Sequence, residues 1–73
     1  MGKILFFGRL SGLSAEPPAA TTDSDIFRAA LADRMPELAD PSVRMAVNQE
    51  MIQGAVAVGP DDEIAFLPPM SGG

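Results

Sequence analysis

The sequence predicts a small α+β domain, a single helix lying across one face of a small mixed sheet. Three observations carry this reading. Alternating apolar runs stand near both ends of the chain, Lys3–Leu10 and Glu63–Leu67. One amphipathic segment, residues 23–35, lies between them. Gly, Pro, Asn and Asp divide the remainder into short pieces. With 73 residues the chain is one domain, and a chain of this size buries only about 60% of its unfolded surface, so the core is small. No internal repeat is visible.

The first strand spans Lys3–Leu10. Ile4, Phe6, Gly8 and Leu10 point one way, and Lys3, Leu5, Phe7 and Arg9 the other. Apolar groups on both faces suggest a central strand with the helix on one side. Residues 11–22 are rich in Ser, Gly, Pro, Ala and Thr. Pro17 and Pro18 cannot donate to a ladder, so any strand here is short and at an edge. The helix is expected from Asp23 to Met35. Thr22 and Asp25 resemble a capping box, and Asp23 and Asp25 suit the positive end of the helix dipole better than a catalytic pair. Ile26, Phe27, Ala30, Leu31 and Met35 form its apolar stripe, Arg28 and Asp33 lie off it, and Pro36 stops it.

Pro36 to Ser42 reads as a loop. Val43, Met45 and Val47 alternate with Arg44, Ala46 and Asn48 as a strand. Asn48-Gln49-Glu50 is a turn, since Asn tolerates left-handed backbone. Met51-Ile52 begins another short strand, and Gly59-Pro60-Asp61-Asp62 is a second turn. The last strand, Glu63–Leu67, sets Ile64 and Phe66 on one face and Ala65 and Leu67 on the other.

Composition removes several function classes. Ten acids face five bases, a net charge of −5, whereas phosphate binding needs a basic stripe. That argues against nucleic acid and against an anionic membrane surface. There is no Cys and no His, which removes thiolate chemistry, the commonest metal ligand and the usual general base. No apolar run approaches the roughly 18 residues of a membrane span, and the N-terminal run is too short for a signal peptide. A cytoplasmic, reducing setting is the expectation. Asp61, Asp62 and Glu63 offer oxygen ligands, but consecutive acids rarely converge on one ion, so they read as a solvated turn and no metal is expected. Ser71 has no accompanying base. Covalent chemistry is left to a carboxylate, a hydroxyl or a chain terminus.

The terminus has the features such chemistry needs. After Leu67 the chain reads Pro68-Pro69-Met70-Ser71-Gly72-Gly73. The prolines stop the ladder and project the chain away from the sheet. Six extended residues reach roughly 20 Å at ~3.3–3.6 Å each. Gly-Gly without side chains threads a channel closed to other residues. Fraying termini also collect small residues. Here, however, the pair follows a strand and a Pro-Pro spacer in an acidic domain.

Three stretches resemble the MoaD family, the small subunit of molybdopterin synthase. Lys3-Ile4-Leu5-Phe6-Phe7-Gly8-Arg9-Leu10 looks like its first strand, and Ala46-Val47-Asn48-Gln49-Glu50 like its third-strand signature. Residues 62–73, Asp62-Glu63-Ile64-Ala65-Phe66-Leu67-Pro68-Pro69-Met70-Ser71-Gly72-Gly73, look like its last strand and tail. Departures lie at residues 11–22, where the family has a clearer second strand, and at Pro60-Asp61. The resemblance implies a ubiquitin-like β-grasp domain over residues 1–67 with a flexible tail over 68–73. It implies a sulfur carrier. A MoeB-like adenylating enzyme uses ATP to activate the Gly73 carboxylate, a sulfur donor displaces AMP, and a thiocarboxylate results. The tail enters a MoaE-like large subunit holding the precursor pterin, in a heterotetramer of two small and two large subunits. No cofactor is bound by the chain itself, and ATP belongs to the activating enzyme.

Leu5 and Phe7 share a face that one helix cannot also cover. Phe7, Leu67 and Met51 are expected to form an exposed patch beside the tail root; the alternative is a larger core closed by residues 11–22. Aromatic and Met anchors suit a protein interface. In the resembled family the matching positions meet the large subunit, as do Pro68, Pro69, Met70 and Ser71 of the tail, with Gly72 threading the channel. The acidic balance fits basic partner surfaces. Other functions remain open at this point: a thiamine-type sulfur carrier, a ubiquitin-like modifier joined through Gly73, or an inert interaction module.

Overall fold

The computed structural model describes residues 2–69. In chain order these form β1 (Lys3–Phe6), β2 (Thr22–Asp23), α1 (Ser24–Ala32), β3 (Arg44–Val47), β4 (Glu50–Met51), β5 (Ala57–Val58) and β6 (Glu63–Leu67). Two 3-10 turns, Gly8–Leu10 and Pro36–Ala39, complete the set. The main sheet has the order β1-β6-β3-β4, and β2 pairs with β5 in a separate ladder. The first and last strands run parallel, in register from Lys3 opposite Glu63 to Phe6 opposite Phe66. Strand β3 lies antiparallel on the other side of β6, from Arg44 opposite Leu67 to Val47 opposite Ile64. A small mixed sheet carrying one helix is the expected β-grasp arrangement.

Alternation puts Ile64 and Phe66 of β6 on the helix-facing side, both fully buried. The Phe6 and Phe66 rings stack there with centroids 5.6 Å apart. Phe27 and Leu31 of α1 pack onto this surface with Val43, Met45, Leu10 and Leu38. The helix is capped by Asp23, whose Oδ1 accepts from the N–H groups of Asp25 (2.8 Å) and Ile26 (3.2 Å). Ser24 is wholly buried; its Oγ accepts from Val56 N–H at 2.9 Å and its N–H donates to Val56 C=O at 2.8 Å. These bonds tie the helix start to the β2–β5 ladder.

The structure corrects several sequence expectations. Strand β1 stops at Phe6 and not at Leu10, because Gly8 takes φ +56° and turns the chain into a 3-10 turn. Leu10 still reaches the core, but through that turn. β1 is an edge strand of the described sheet, whereas β6 and β3 each have neighbours on both sides. The cap is Asp23 and not Thr22. The helix ends at Ala32, three residues short of Met35, whose N–H nonetheless still donates to Leu31 C=O. Ile26, assigned to the apolar stripe, is 66% exposed: α1 is short and the sheet covers only the arc of Phe27 and Leu31. Residues 11–21 form no strand. The Asn48-Gln49 turn is present, with φ of 52° and 70° at its two residues, the signature of a tight two-residue hairpin.

Candidate functional site

The outer face of the sheet follows from the same register. Leu5 lies beside Ala65, Ala65 beside Ala46, and Ala46 beside Met51. Leu67 stands beside Arg44 at the end of the face. Phe7 continues the direction of Leu5, since its backbone is still extended. Phe7 is 46% exposed and Met51 47%. Residues 11–22 therefore leave Phe7 open to solvent and do not close a second core over it. Small Ala46 and Ala65 leave a hollow of about 200 Å³ between Phe7, Met51 and Leu67, with Gln49 and Glu63 at its rim. A larger cleft of about 540 Å³ adjoins it, sharing Met51 and Leu67 and reaching Pro41, Ser42, Arg44, Pro68 and Pro69.

The chain leaves the sheet in that second cleft. Phe7 N–H donates to Phe66 C=O at 3.2 Å, which ties the end of β1 to the end of β6. The Pro68 ring then lies across Gly8. A Cβ at Gly8 would stand 2.9 Å from Pro68 Cγ, and the φ of +56° strains any other residue as well. Gly8 is thus a bare seat for the first tail proline. Sequence alternation had placed it inside a strand; a glycine in an apolar run was the one available sign of close backbone approach.

Arg28 holds in place the loop that brings Pro41 and Ser42 to the cleft. From α1 its Nε donates to Leu38 C=O (2.7 Å), and its Nη2 to Asp40 C=O (2.8 Å) and Val43 C=O (2.7 Å). One planar guanidinium thereby fixes the whole connection from α1 to β3. Within that connection, Asp40 Oδ1 accepts from Ser42 N–H (2.9 Å) and Ser42 Oγ–H (2.7 Å). The Ser42 backbone bond, then its hydroxyl, hold the Asp40 carboxyl below its ordinary range, with help from Arg9 and Arg28.

The opposite end of the outer face is closed by Asn48 and Asp62. Asn48 Nδ2 donates to Asp62 Oδ1 (3.0 Å), Glu63 N–H donates to Asn48 Oδ1 (3.0 Å), and Gly59 N–H donates to Asp62 Oδ2 (2.7 Å). The Asn48 bond first, then that from Gly59, depress the Asp62 carboxyl. Lys3 Nζ stands 3.9 Å from Glu63 Oε1. The acids of the 61–63 turn are thus divided between structural bonds and solvent. Among the described residues no group of three or more His, Cys, Asp or Glu could hold a metal ion. No helix among them is long and apolar enough to cross a membrane.

Of the site residues read from sequence, the fold brings Phe7, Met51, Leu67, Pro68 and Pro69 to one face and one end of it. Met70, Ser71, Gly72 and Gly73 lie outside the described residues. Sequence reading missed Gly8 and Arg44; the parity of Arg44 with Ala46 on β3 was the usable signal for the latter. The outer face carries the exposed apolar anchors Phe7 and Met51 and runs into Pro68 and Pro69 at the end of the last strand. Residues 4–73 match the sequence model of the ThiS family. With that match covering nearly the whole length, the chain belongs to the ThiS family, a family of ubiquitin-like sulfur carriers.

Proposed function

We propose that the chain is the sulfur-donating small subunit of a molybdopterin synthase. The observation that carries this reading is the continuous apolar outer face of Phe7, Met51 and Leu67 running into the Pro68-Pro69 root of a Gly-Gly tail. A large subunit of the MoaE kind would seat on that face and receive the tail. A MoeB-like adenylating enzyme would charge the tail beforehand.

The chemistry resides in the Gly73 carboxylate. Its charge and resonance resist nucleophilic attack. Transfer of AMP from ATP forms a mixed anhydride and releases pyrophosphate, which removes the charge and supplies a leaving group. A sulfur donor displaces AMP and leaves a thiocarboxylate. That group is ionised at neutral pH and its sulfur is a soft nucleophile. Attack on the precursor pterin, followed by hydrolysis, returns the carboxylate, and two such deliveries build the dithiolene. The body of the chain contributes position and recognition.

The second reading is a thiamine-type carrier, favoured by the family match itself. A ubiquitin-like modifier joined through Gly73 is a third. Intact-mass measurement after incubation with an adenylating enzyme, ATP and a sulfur source separates these. Either carrier shows exchange of one oxygen for sulfur at the terminus, whereas a modifier appears in larger covalent conjugates. Co-purification with a MoaE-like subunit supports the molybdopterin reading, and co-purification with a thiazole-forming enzyme overturns it.

A further inference from the structure

Arg44 is out of keeping with its surroundings. The chain carries a net charge of −5, yet this guanidinium stands at the tail-root end of the outer face, directly across the ladder from Leu67. It is exposed. The other cations near the site are engaged: Lys3 with Glu63, Arg9 with Asp40 at 3.6 Å, and Arg28 with three carbonyls. Among the described residues Arg44 makes no ion pair and no side-chain hydrogen bond. It lines the 540 Å³ cleft beside Met51, Leu67 and Pro68.

We propose that Arg44 is a specificity contact for the adenylating enzyme, receiving an Asp or Glu carboxylate of that enzyme while a neighbouring apolar side chain of the same segment fills the cleft. This rests on the carrier reading above and names the chemistry of its partner. An arginine fork donates two parallel hydrogen bonds to a carboxylate, and an arginine bordered by apolar surface is a frequent centre of binding energy. The contact is with protein and not with nucleotide. The cleft is lined by Pro68 and Pro69, whereas the reacting carboxylate belongs to Gly73, four residues further along the sequence. The enzyme must hold the root while it works on the end.

Charge gives the test its sign. Against a basic enzyme surface, removing a positive charge from an acidic carrier strengthens long-range attraction and lowers KM. A local pair with a carboxylate does the opposite. The probe is a purified MoeB-like adenylating enzyme from the same organism. The assay is ATP–pyrophosphate exchange against concentration of the full-length carrier, for wild type, Arg44→Lys, Arg44→Met and Arg44→Glu. The proposal expects KM to rise about threefold or more in Arg44→Met and about tenfold or more in Arg44→Glu, with Arg44→Lys between wild type and Arg44→Met and kcat within about twofold throughout. It also expects Arg44→Met to lose part of the salt dependence of KM. A KM that stays level or falls in Arg44→Glu overturns the proposal while leaving the carrier reading intact, as does a loss confined to kcat. Absence of exchange with the wild-type carrier overturns both.

Discussion

Phe7→Ala separates an interface anchor from a core residue, and the structure fixes the size of each outcome. A wholly buried Phe removes ~150–250 Å² from water. Phe7 is 46% exposed, so about 100 Å² is covered in the free domain, and about 60 Å² of that is lost on truncation to Ala. At ~25 cal/mol per Å² the loss is about 1.5 kcal/mol, an upper bound because denatured chains already bury some surface. No cavity adds to it, since the side chain opens onto solvent. Phe66 on the other face is fully buried, and Phe66→Ala should cost about 3–5 kcal/mol. A domain of 73 residues has roughly 4–11 kcal/mol in hand, so Phe7→Ala stays folded while Phe66→Ala approaches or crosses the threshold. Urea unfolding of the two variants measures this contrast. On the proposed molybdopterin reading, titration calorimetry against a MoaE-like large subunit should show Phe7→Ala binding about 1–3 kcal/mol more weakly, roughly 5- to 150-fold in Kd. If Phe7→Ala proves as destabilising as Phe66→Ala, Phe7 belongs to the core. If it folds and binds like wild type, the outer face is not the docking surface proposed for such a subunit.

Four further predictions follow from other residues. Arg28→Met should lower stability by about 2–4 kcal/mol in urea unfolding, since three backbone carbonyls lose a charged donor, and a loss under about 0.5 kcal/mol would show the clamp to be idle. Gly8→Ala should cost about 1–2 kcal/mol for the left-handed backbone alone, and its NMR shift changes should centre on Pro68; changes that bypass Pro68 refute the seat. Asp40 and Asp62 are both held below their ordinary 3.8. Their folded pKa lies below the unfolded value, so this stabilisation is complete above it and drains away as pH falls through the folded value. Thermal melts between about pH 5 and pH 2 should show a flatter acid limb for Asp62→Asn than for wild type, and identical limbs would deny Asp62 any part. Deleting Gly73 should abolish sulfur loading by intact mass while the melting temperature stays unchanged; retained loading would remove the terminal carboxylate from the mechanism.

What was legible in the sequence was legible through period. Glu63–Leu67 alternates cleanly, and its two faces came out as read. Asn48 announced a turn because few other residues enter left-handed backbone cheaply. The end of β1 was not legible, because Leu10 keeps the parity of a strand although it arrives by a turn after Gly8. Position in the sheet was misread for a related reason. Two apolar faces suggested a central strand, but Leu5 and Phe7 are apolar without a covering layer. The β2–β5 ladder joins two pairs of residues far apart in sequence, Thr22–Asp23 and Ala57–Val58. Segments of two residues have no periodicity to detect. Ile26 failed because a stripe drawn on a helical wheel does not say how wide an arc the neighbouring sheet covers.

The arrangement of the last strand separates delivery from recognition. β6 is paired along β1 on one side and β3 on the other, and its inward side chains, Ile64 and Phe66, are fully buried. The direction in which the backbone leaves at Leu67 is therefore set by ladder bonds, by the Phe7–Phe66 bond and by the Gly8 seat, none of which involves an outer-face side chain. The outer face can change its partner by substitution at Phe7, Arg44 or Met51 without re-aiming the tail. Substitution at Gly8 re-aims the tail without altering the apolar patch. For a carrier whose reactive atom belongs to the backbone, this division lets one fold serve different acceptors with the same terminal chemistry.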